Sequence, residues 1–387
     1  MKKLLVVFFV FVASFTLFAC GSTTTEEQVV KVGLIVSAAG ANDNGYNQFA
    51  IEGLNKAAED FNIQTQVVDT SEDVPGSLET LAEDGYDLVF SLEYNFGALI
   101  TDDGTGQSLA EKYPDTTFVV FNAFANTDEN GNKIHDNVAE VLFNVNESSF
   151  LAGALSVLVN ENNEVLFDSE DYSFTPTSEA RAVGFVGGTQ SAGITVFGYG
   201  FAEGVNYIAT ELGVTYDLYE TYAAGFGASQ ENYNTINSYY QSGANVVFAA
   251  AGGVSTNMKN AAADNGKLAI DVDANQDASV PGSVLTSVLK NTNIAVYDLI
   301  DQYLNGTSIG GQDFFYDLNS GATGITDLSV IEGYISDSQA AQDKWVEIKA
   351  EIEQLKTDIS NGTIDVTDAQ AGETLDVDSL PNINKVN

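Results

Sequence analysis

Short apolar runs rich in Val, Ile and Phe alternate with longer amphipathic stretches along most of this chain. The apolar runs predict strands at 31–37, 64–69, 87–93, 117–122, 182–187, 214–219, 245–250 and 267–271. Helical spacing between them predicts helices at 46–61, 77–83, 98–112, 194–212, 230–241 and 254–265. Alternation of strand and helix is typical of α/β folds, in which helices flank a mostly parallel sheet. Because the alternation occurs twice, the pattern predicts two lobes.

Lobe 1 is expected to be built from separate parts of the chain, with lobe 2 lying between them in the sequence. A helix with strong amphipathic spacing follows the second alternation, and the last residues are acidic with few apolar positions, so we expect them to be loose. The expected units are a signal peptide (1–20), a flexible tether (21–29), lobe 1 (30–145 with 291–335 and the C-terminal helix to about 362), lobe 2 (146–290) and an acidic tail (363–387).

The N-terminal stretch MKKLLVVFFVFVASFTLFAC has the features of a secretory signal peptide. Two lysines precede an apolar run that is shorter than the ~20 residues a membrane-spanning helix needs. The run ends at Cys20, the one cysteine of the chain; Leu17 and Ala19 match a bacterial lipobox, although Phe18 is bulkier than usual there. We expect Cys20 to carry a diacylglycerol, rather than to be a thiol within a signal helix. This predicts a protein anchored by lipid at the extracytoplasmic face of the cell membrane.

Charge narrows the classes of ligand. The 387-residue chain carries 55 Asp and Glu against 14 Lys and Arg, a formal net charge of -41 at pH 7. Such a surface repels polyanions, so nucleic acid and anionic substrates are disfavoured. A neutral or cationic small molecule suits this charge, although a salty habitat or a need for solubility would produce the same composition.

Candidate binding residues follow the predicted strands, because ligands of open α/β sheets bind beyond the carboxyl ends of the strands. In lobe 1, the stretch NDNGYNQFAIEG places Asp43, Tyr46 and Asn47 where the first strand leads into a helix. Asp and Asn at such a position are ordinary capping residues. The ring of Tyr46, beside two polar side chains, would face the cleft.

Glycine-rich stretches follow two strands of lobe 2. In GGTQSAGITVFGYGFAEGV, Phe197, Tyr199 and Phe201 lie among glycines, where a ring could form a flat wall for a ligand or pack in the core. In AAAGGVSTN, Gly252 and Gly253 could present backbone N–H groups to a ligand oxygen at a helix start.

Two charged residues end the last strands of lobe 2. The stretch IDVDANQD begins like a calcium-binding EF-hand loop, but Gln276 stands where Gly is needed and Gly282 where the bidentate Glu is needed, so calcium is not expected. Asp273 is better placed to accept hydrogen bonds from two hydroxyls. Lys290 would hold that carboxylate ionised and donate to a sugar hydroxyl itself, unless it is a surface lysine.

No set of catalytic residues is visible in the sequence. The single histidine, His135, lies in a polar stretch, and the chain contains no G-x-S-x-G, no G-x-x-x-x-G-K and no His pair spaced for zinc. We therefore expect no enzymatic activity, no metal and no cofactor.

Several motifs resemble, in the same order, those of the basic membrane protein (PnrA-like) family, the lipoprotein substrate-binding components of ABC transporters for nucleosides. GANDNGYNQFAIEG is similar to the family signature G-x-x-D-D-x-S-F-N-Q-x-x-x-E-G, and NESSFLAGALS, GANVVFAAAGG, AIDVDANQD and VLTSVLKNTNIAVYD follow it. The resemblance covers about residues 30–335. It implies a two-lobed periplasmic-binding-protein-like fold of type I.

The resemblance also implies roles in holding a nucleobase. Tyr46 and Phe201 match positions whose rings stack on the two faces of a purine, and Asp43 and Asn47 match polar positions that reach the base. Tyr at 46 replaces the family's Phe, and 44–45 read Asn-Gly where Lys-Ser is usual, so the preferred base stays open.

Gly253, Asp273 and Lys290 match the family positions that hold the ribose. The leading hypothesis is a monomeric nucleoside-binding lipoprotein that closes two lobes around its ligand and delivers it to a membrane permease. The alternatives are a sugar or signal-molecule receptor on the same scaffold, an extracellular nucleoside hydrolase, and an adhesin or surface antigen without a small-molecule ligand.

Overall fold

The chain forms two lobes, each built on one sheet, in a computed structural model that describes residues 29–69, 73–92, 95–102, 104 and 106–386. The predicted signal peptide, Cys20 and most of the predicted tether lie outside the described residues. The strands are β1 (Val30–Ile35), β2 (Ile63–Val68), β3 (Leu88–Ser91), β4 (Thr117–Phe121), β5 (Val138–Phe143), β6 (Ala182–Gly187), β7 (Tyr216–Thr221), β8 (Ala244–Ala250), β9 (Leu268–Asp273), β10 (Val284–Lys290), β11 (Asp313–Tyr316), β12 (Thr323–Ile325) and β13 (Ile383–Val386).

Helices cover both sheets. They are α1 (Tyr46–Asp60), α2 (Val74–Glu83), α3 (Gly97–Ile100), α4 (Leu109–Lys112), α5 (Val145–Glu161), α6 (Asn163–Leu166), α7 (Ala192–Leu212), α8 (Gln230–Gln241), α9 (Val254–Asn265), α10 (Thr292–Leu304), α11 (Ser329–Glu332) and α12 (Gln339–Ser360). In the described residues, none of these helices has the length and apolarity needed to cross a membrane.

The sheets confirm the predicted α/β class. Lobe 1 has the strand order β11-β5-β4-β3-β1-β2, with all pairs parallel. Lobe 2 has the order β12-β10-β9-β8-β6-β7-β13, and only the pairing of β12 with β10 is antiparallel. Every residue of β5, β6 and β8 is buried, because helices cover both faces of each sheet.

Helices α5 and α7 pack with their backbones in close contact. A β-carbon built on Gly153 would lie 2.2 Å from the Phe201 carbonyl oxygen, and one on Gly204 would lie 2.0 Å from the Phe150 carbonyl oxygen. Only glycine fits at such separations, so these two positions set the distance between the helices.

In lobe 1, one predicted helix is wrong and one strand was not predicted. The helix predicted at 98–112 is replaced by the short helices α3 and α4, and Gly104 and Gly106 between them have φ of +101° and +100°, which a helix cannot contain. Strand β5 was not predicted, because Glu140 interrupts its apolar run. The Glu140 carboxylate is fully buried and forms an ion pair with Lys133.

The C-terminal region belongs to lobe 2, whereas lobe 1 and a loose tail were expected. Helix α12 packs against α5 and α6, with Trp345 only 1% exposed. Strand β12 pairs with β10, and the expected tail ends in β13, which extends the sheet beside β7. The apolar face of α12 is buried against lobe 2, and the edge of β7 offers unpaired backbone groups to β13.

The chain passes between the lobes at three places. It leaves lobe 1 between β5 and α5, returns between β10 and α10, and leaves again between β11 and β12. The first and third crossings are joined by a hydrogen bond from the Asn144 N–H to the Tyr316 carbonyl at 2.8 Å. Because parallel strands end at one edge of each sheet, the loops at the carboxyl ends of both sheets line the cleft.

Candidate functional site

The turn from β1 into α1 is held by the carboxylate of Asp43. Its oxygens accept hydrogen bonds from the backbone N–H groups of Gly45, Asn47 and Gln48, at 3.0, 2.9 and 3.1 Å. These groups have no partner within the helix, so the carboxylate caps its first turn. Asp43 thus orients the residue that follows this turn, Tyr46.

Asn47 is buried and holds the same turn from inside. Its side-chain oxygen accepts from the Ser37 N–H at 2.9 Å, and its NH₂ group donates to Ser37 Oγ and to the Gly40 carbonyl, both at 3.0 Å. Both amide hydrogens are used, and the residue is 0% exposed. The expectation that Asn47 reaches a base is therefore not supported by its position; it fixes the loop from which Tyr46 projects.

The Tyr46 ring lies at the carboxyl ends of β3 and β4. Its hydroxyl accepts a hydrogen bond from Asn122 Nδ2 at 2.7 Å and lies 3.4 Å from the Leu92 carbonyl. Asn122 directly follows β4 with φ of +60°. Asn122 was not predicted as a site residue, although an Asn directly after the buried run TFVVF follows the same strand-end rule as Asp43.

Lys290 is the buried cation of the site. Its Nζ lies 5.3 Å from the ring centroid of Tyr46, 5.5 Å from that of Phe143 and 5.7 Å from that of Phe197. The first two rings belong to lobe 1 and the third to lobe 2, so the ammonium sits where the lobes meet. Only 4% of Lys290 is exposed, and among the described residues no oxygen accepts a hydrogen bond from Nζ.

Burial lowers the pKa of Lys290 to about 8, although the nearby carboxylate of Asp273 acts in the opposite direction. A buried charge without hydrogen-bond acceptors is unfavourable in a folded protein. The rings provide part of the compensation, because a cation is attracted to their faces. The rest of its hydrogen-bonding capacity is available to a ligand.

Asp273 ends β9 beside Lys290, since Asp273 is in register with Leu289. Its backbone has φ of +67°, and in the described structure no donor hydrogen-bonds to its carboxylate. Burial raises the pKa of Asp273 to about 6; Lys290 lowers it, and Asp43 and Asp271 raise it further. Lys290 thus favours the ionised carboxylate as expected, but burial has the larger effect.

Phe201 is predicted to form the second wall of a base slot, but the structure brings a different ring of the same helix towards Lys290. Phe201 is 0% exposed and lies in the interior of lobe 2, with ring centroids 5.6 Å from Phe248 and 6.2 Å from Phe185. Phe197, one turn nearer the start of α7, is the ring that approaches Lys290. The two phenylalanines are four residues apart on one helix face, so the spacing in the sequence could not distinguish them.

Gly253 begins α9, and its N–H was expected to bind a ligand oxygen. In the structure this N–H donates to the Phe226 carbonyl at 2.9 Å, so it is already used. The neighbouring Gly252 has φ of +52° and allows the sharp turn from β8. Gly253 thus lies at the predicted edge of the sheet, but its amide is occupied.

Together these groups form a site with an aromatic part and a charged part. Tyr46 and Phe197 approach Lys290 from opposite lobes, and the unengaged carboxylate of Asp273 and ammonium of Lys290 lie beside them. Such an arrangement suits a flat ring that carries hydroxyl groups. In the part of the chain that is described, no group of three or more His, Cys, Asp or Glu is arranged to hold a metal.

Comparison with known proteins points to one family. Residues 29–361 match the family model described as "ABC transporter substrate-binding protein PnrA-like". The chain is 25% identical over 371 residues to the ABC transporter nucleoside-binding protein BmpA of Lactococcus lactis subsp. cremoris (strain MG1363), covering 90% of this chain and 92% of that protein. It is 27% identical over 298 residues to an uncharacterised lipoprotein of Pyrococcus abyssi, covering 75% and 67%.

Among solved structures, the fold is similar to that of an ABC transporter solute-binding protein from Aeropyrum pernix K1. The TM-score is 0.67 at 23% identity, over 88% of this chain and 93% of that one. The two-lobed α/β architecture is therefore the periplasmic-binding-protein-like fold that was expected.

Proposed function

Because this chain belongs to the PnrA-like family of ABC transporter substrate-binding proteins, we propose that its ligand is a nucleoside, with a purine as the preferred base. The family consists of binding components that work with a membrane permease, so the chain is not an enzyme. The proposal concerns the identity of the ligand, and it is supported by the chemistry of the cleft and by the nucleoside-binding relative.

One observation carries the proposal: the buried ammonium of Lys290 has rings on both sides but no hydrogen-bond acceptor among the described residues. The nearby carboxylate of Asp273 likewise has no hydrogen-bond donor in the part of the chain that the structure describes. A ribose supplies what each lacks, because one hydroxyl can accept from Lys290 and a neighbouring hydroxyl can donate to Asp273. The ligand would then compensate the buried charge of Lys290 and the partly buried charge of Asp273.

The aromatic part is assigned to the base. Tyr46 and Phe197 would contact its two faces, and stacking on aromatic side chains contributes about 1–3 kcal/mol per base. Asp43, Asn47 and Asn122 would orient Tyr46 rather than form the principal contacts to the ligand. Stacking tolerates many bases, whereas the charged pair selects for the sugar hydroxyls.

The anchor is a second part of the proposal. A diacylglycerol on Cys20 would hold the protein, as a monomer, at the extracytoplasmic face of the cell membrane beside its permease. Relatives named lipoproteins support this location. Metabolic labelling with a radioactive fatty acid should label the wild-type protein and leave Cys20→Ser unlabelled, and equal labelling of both would contradict the anchor.

Thermal unfolding with a panel of ligands tests the proposed substrate. The melting temperature would be measured with about 1 mM of each of five ligands: adenosine, guanosine, inosine, cytidine and ribose. A ligand that binds only the folded state raises this temperature. We expect the purine nucleosides to raise it most and ribose alone to raise it least. Stabilisation by ribose equal to that by inosine would instead favour the sugar receptor, whose ligand would also satisfy Asp273 and Lys290.

A further inference from the structure

A hydrogen bond crosses the mouth of the cleft from one lobe to the other. Gln276, in the loop after β9 of lobe 2, donates from Nε2 to the backbone carbonyl of Asn44 in lobe 1 at 2.7 Å. Asn44 lies in the turn that leads into α1. We propose that this bond is a latch, which stabilises the closed lobes and slows the escape of the ligand. The latch rests on the proposed function, in which the lobes close around a nucleoside.

The donor side of the latch is held firmly. The Gln276 N–H donates to Ser287 Oγ at 3.0 Å, and that hydroxyl donates to Asp277 Oδ1 at 2.7 Å. Ser287 and Asp277 are buried, and Ser287 belongs to β10, which lies between β12 and β9 in the sheet. Because the backbone of Gln276 is fixed to the sheet, only the rotamers of its side chain have to be ordered when it reaches across.

The acceptor side is fixed as well. Asn44 has φ of +55°, a left-handed conformation that residues other than glycine adopt rarely. It lies directly after Asp43, whose carboxylate binds the N–H groups of Gly45, Asn47 and Gln48. The direction of the Asn44 carbonyl is therefore set before the lobes meet.

The latch lies directly beside the charged part of the site. A β-carbon built on Gly45 would lie 3.4 Å from the Asp273 β-carbon and 3.7 Å from its Oδ2, which means that the two loops touch. The turn that carries Tyr46 thus packs against the strand end that carries Asp273. Closing the latch brings the base-binding ring and the sugar-binding carboxylate into one site.

Because this hydrogen bond forms only when the lobes are closed, it stabilises the closed state and leaves the open state unchanged. Neither Gln276 nor the Asn44 carbonyl is among the proposed ligand contacts, so loss of the bond should change the residence time of the ligand more than its association. Gln276 is on this account a positioning residue, since it acts through the arrangement of the lobes.

Two substitutions test the latch in the full chain. Gln276→Ala removes the donor, and Gln276→Glu places a carboxylate against the Asn44 carbonyl, close to Asp43 and Asp273. The control is Gln339, whose amide donates to Asp343 on the exposed side of α12 in lobe 2. Gln339→Ala and Gln339→Glu make the same chemical changes away from the cleft.

Stopped-flow kinetics with inosine would measure the effect. We expect Gln276→Ala to raise the dissociation rate about 3- to 10-fold, the effect of one hydrogen bond, and Gln276→Glu to raise it more. The association rate should stay within about twofold of wild type, as expected when only the bound state is affected. Unchanged dissociation from Gln276→Glu, or equal changes in the Gln339 controls, would overturn the latch.

If the wild-type protein binds none of the nucleosides, the proposed function fails, and small-angle X-ray scattering without ligand judges the latch by itself. In that case a larger radius of gyration for Gln276→Glu than for wild type and Gln339→Glu supports it. Equal radii for all three proteins would overturn it.

Discussion

At the scale of single residues, a substitution at Lys290 best distinguishes an effect on ligand affinity from an effect on the stability of the fold. Lys290→Met keeps the approximate length of the side chain and removes a buried charge that has no acceptor among the described residues, so the free energy of unfolding should stay the same or rise. Affinity for a purine nucleoside should fall about 10- to 100-fold, since a hydrogen bond from a charged group contributes about 1.5–3 kcal/mol. Calorimetry and urea unfolding measure the two effects.

Lys267 is the matched control for that substitution. It is also buried, and its pKa is lowered to about 8 by burial, but its Nζ donates to Thr175 Oγ1 and to the carbonyls of Tyr240 and Ala244. Lys267→Met leaves these oxygens without a donor, so it should reduce stability while affinity stays near wild type. The opposite pattern for the two lysines would show that Lys290 is structural.

The two charges of the site predict a bell-shaped dependence of affinity on pH. The Asp273 pKa is raised to about 6, so the ionised carboxylate that accepts from a hydroxyl is lost as the pH falls through 6. The Lys290 pKa is lowered to about 8, so the ammonium is lost as the pH rises through 8. Binding should therefore be tightest between these values, as calorimetry from pH 5 to pH 9 would measure.

Asp273→Asn isolates the acid side of this profile. Asn tolerates the left-handed backbone of position 273, so the variant should fold, but it has no carboxylate to titrate. The loss of affinity below pH 6 should disappear, and affinity should be low at every pH. Persistence of the acid limb in this variant would assign it to another group.

The two phenylalanines of α7 are distinguished by a pair of substitutions. Phe197→Leu removes a ring next to Lys290, so affinity for a purine nucleoside should fall about 5- to 100-fold, in line with the loss of stacking. Phe201→Leu changes a ring inside lobe 2 and should lower the melting temperature with little change in affinity. A larger loss of affinity in Phe201→Leu would restore the expectation from the sequence.

At the scale of elements, the contact between α5 and α7 is the most sensitive to substitution. A methyl group on Gly204 would approach the Phe150 carbonyl oxygen to 2.0 Å, which forces the helices apart. We expect Gly204→Ala to reduce the free energy of unfolding by about 3 kcal/mol, at the upper end of overpacking effects. Gly97→Ala, where the added β-carbon meets nothing within 4 Å, should be neutral in the same denaturation experiment.

The element scale also shows what periodicity can and cannot predict. Helices α8 and α9 begin and end at the predicted residues, because amphipathic spacing and turn residues bound them. Strand β5 was missed, because a buried ion pair with Lys133 places Glu140 in a core strand. The assignment of α12 and β13 to lobe 2 depends on long-range packing, which no local pattern records.

The sequence also could not show which of the two phenylalanines of α7 lies at the site. Tyr46, Asp273 and Lys290 lie where the strand-end rule predicts, since each adjoins the end of a parallel strand. Phe201 was predicted as the site ring instead of Phe197. Which of the two rings approaches Lys290 depends on where α7 starts relative to the sheet, and the sequence does not specify this. The roles of Asp43 and Asn47 in holding the turn are visible only from their hydrogen bonds.

At the scale of the whole molecule, the acidic surface and the site between the lobes both favour a neutral ligand. A net charge of -41 repels anions such as nucleotides, whereas a neutral nucleoside approaches without this barrier. The three chain crossings connect the lobes, and Tyr46 and Phe197 come from opposite sides of them. Capture of the ligand therefore depends on the lobes coming together, in agreement with transport by an ABC permease.

The role of Lys290 in nucleoside binding is best tested by isothermal titration of the purine nucleosides into the wild-type protein and Lys290→Met at pH 7. We expect 1:1 binding of at least one purine nucleoside to the wild type, and binding at least about tenfold weaker in the variant. The absence of heat with every nucleoside, or equal affinity of the two proteins, would contradict this expectation.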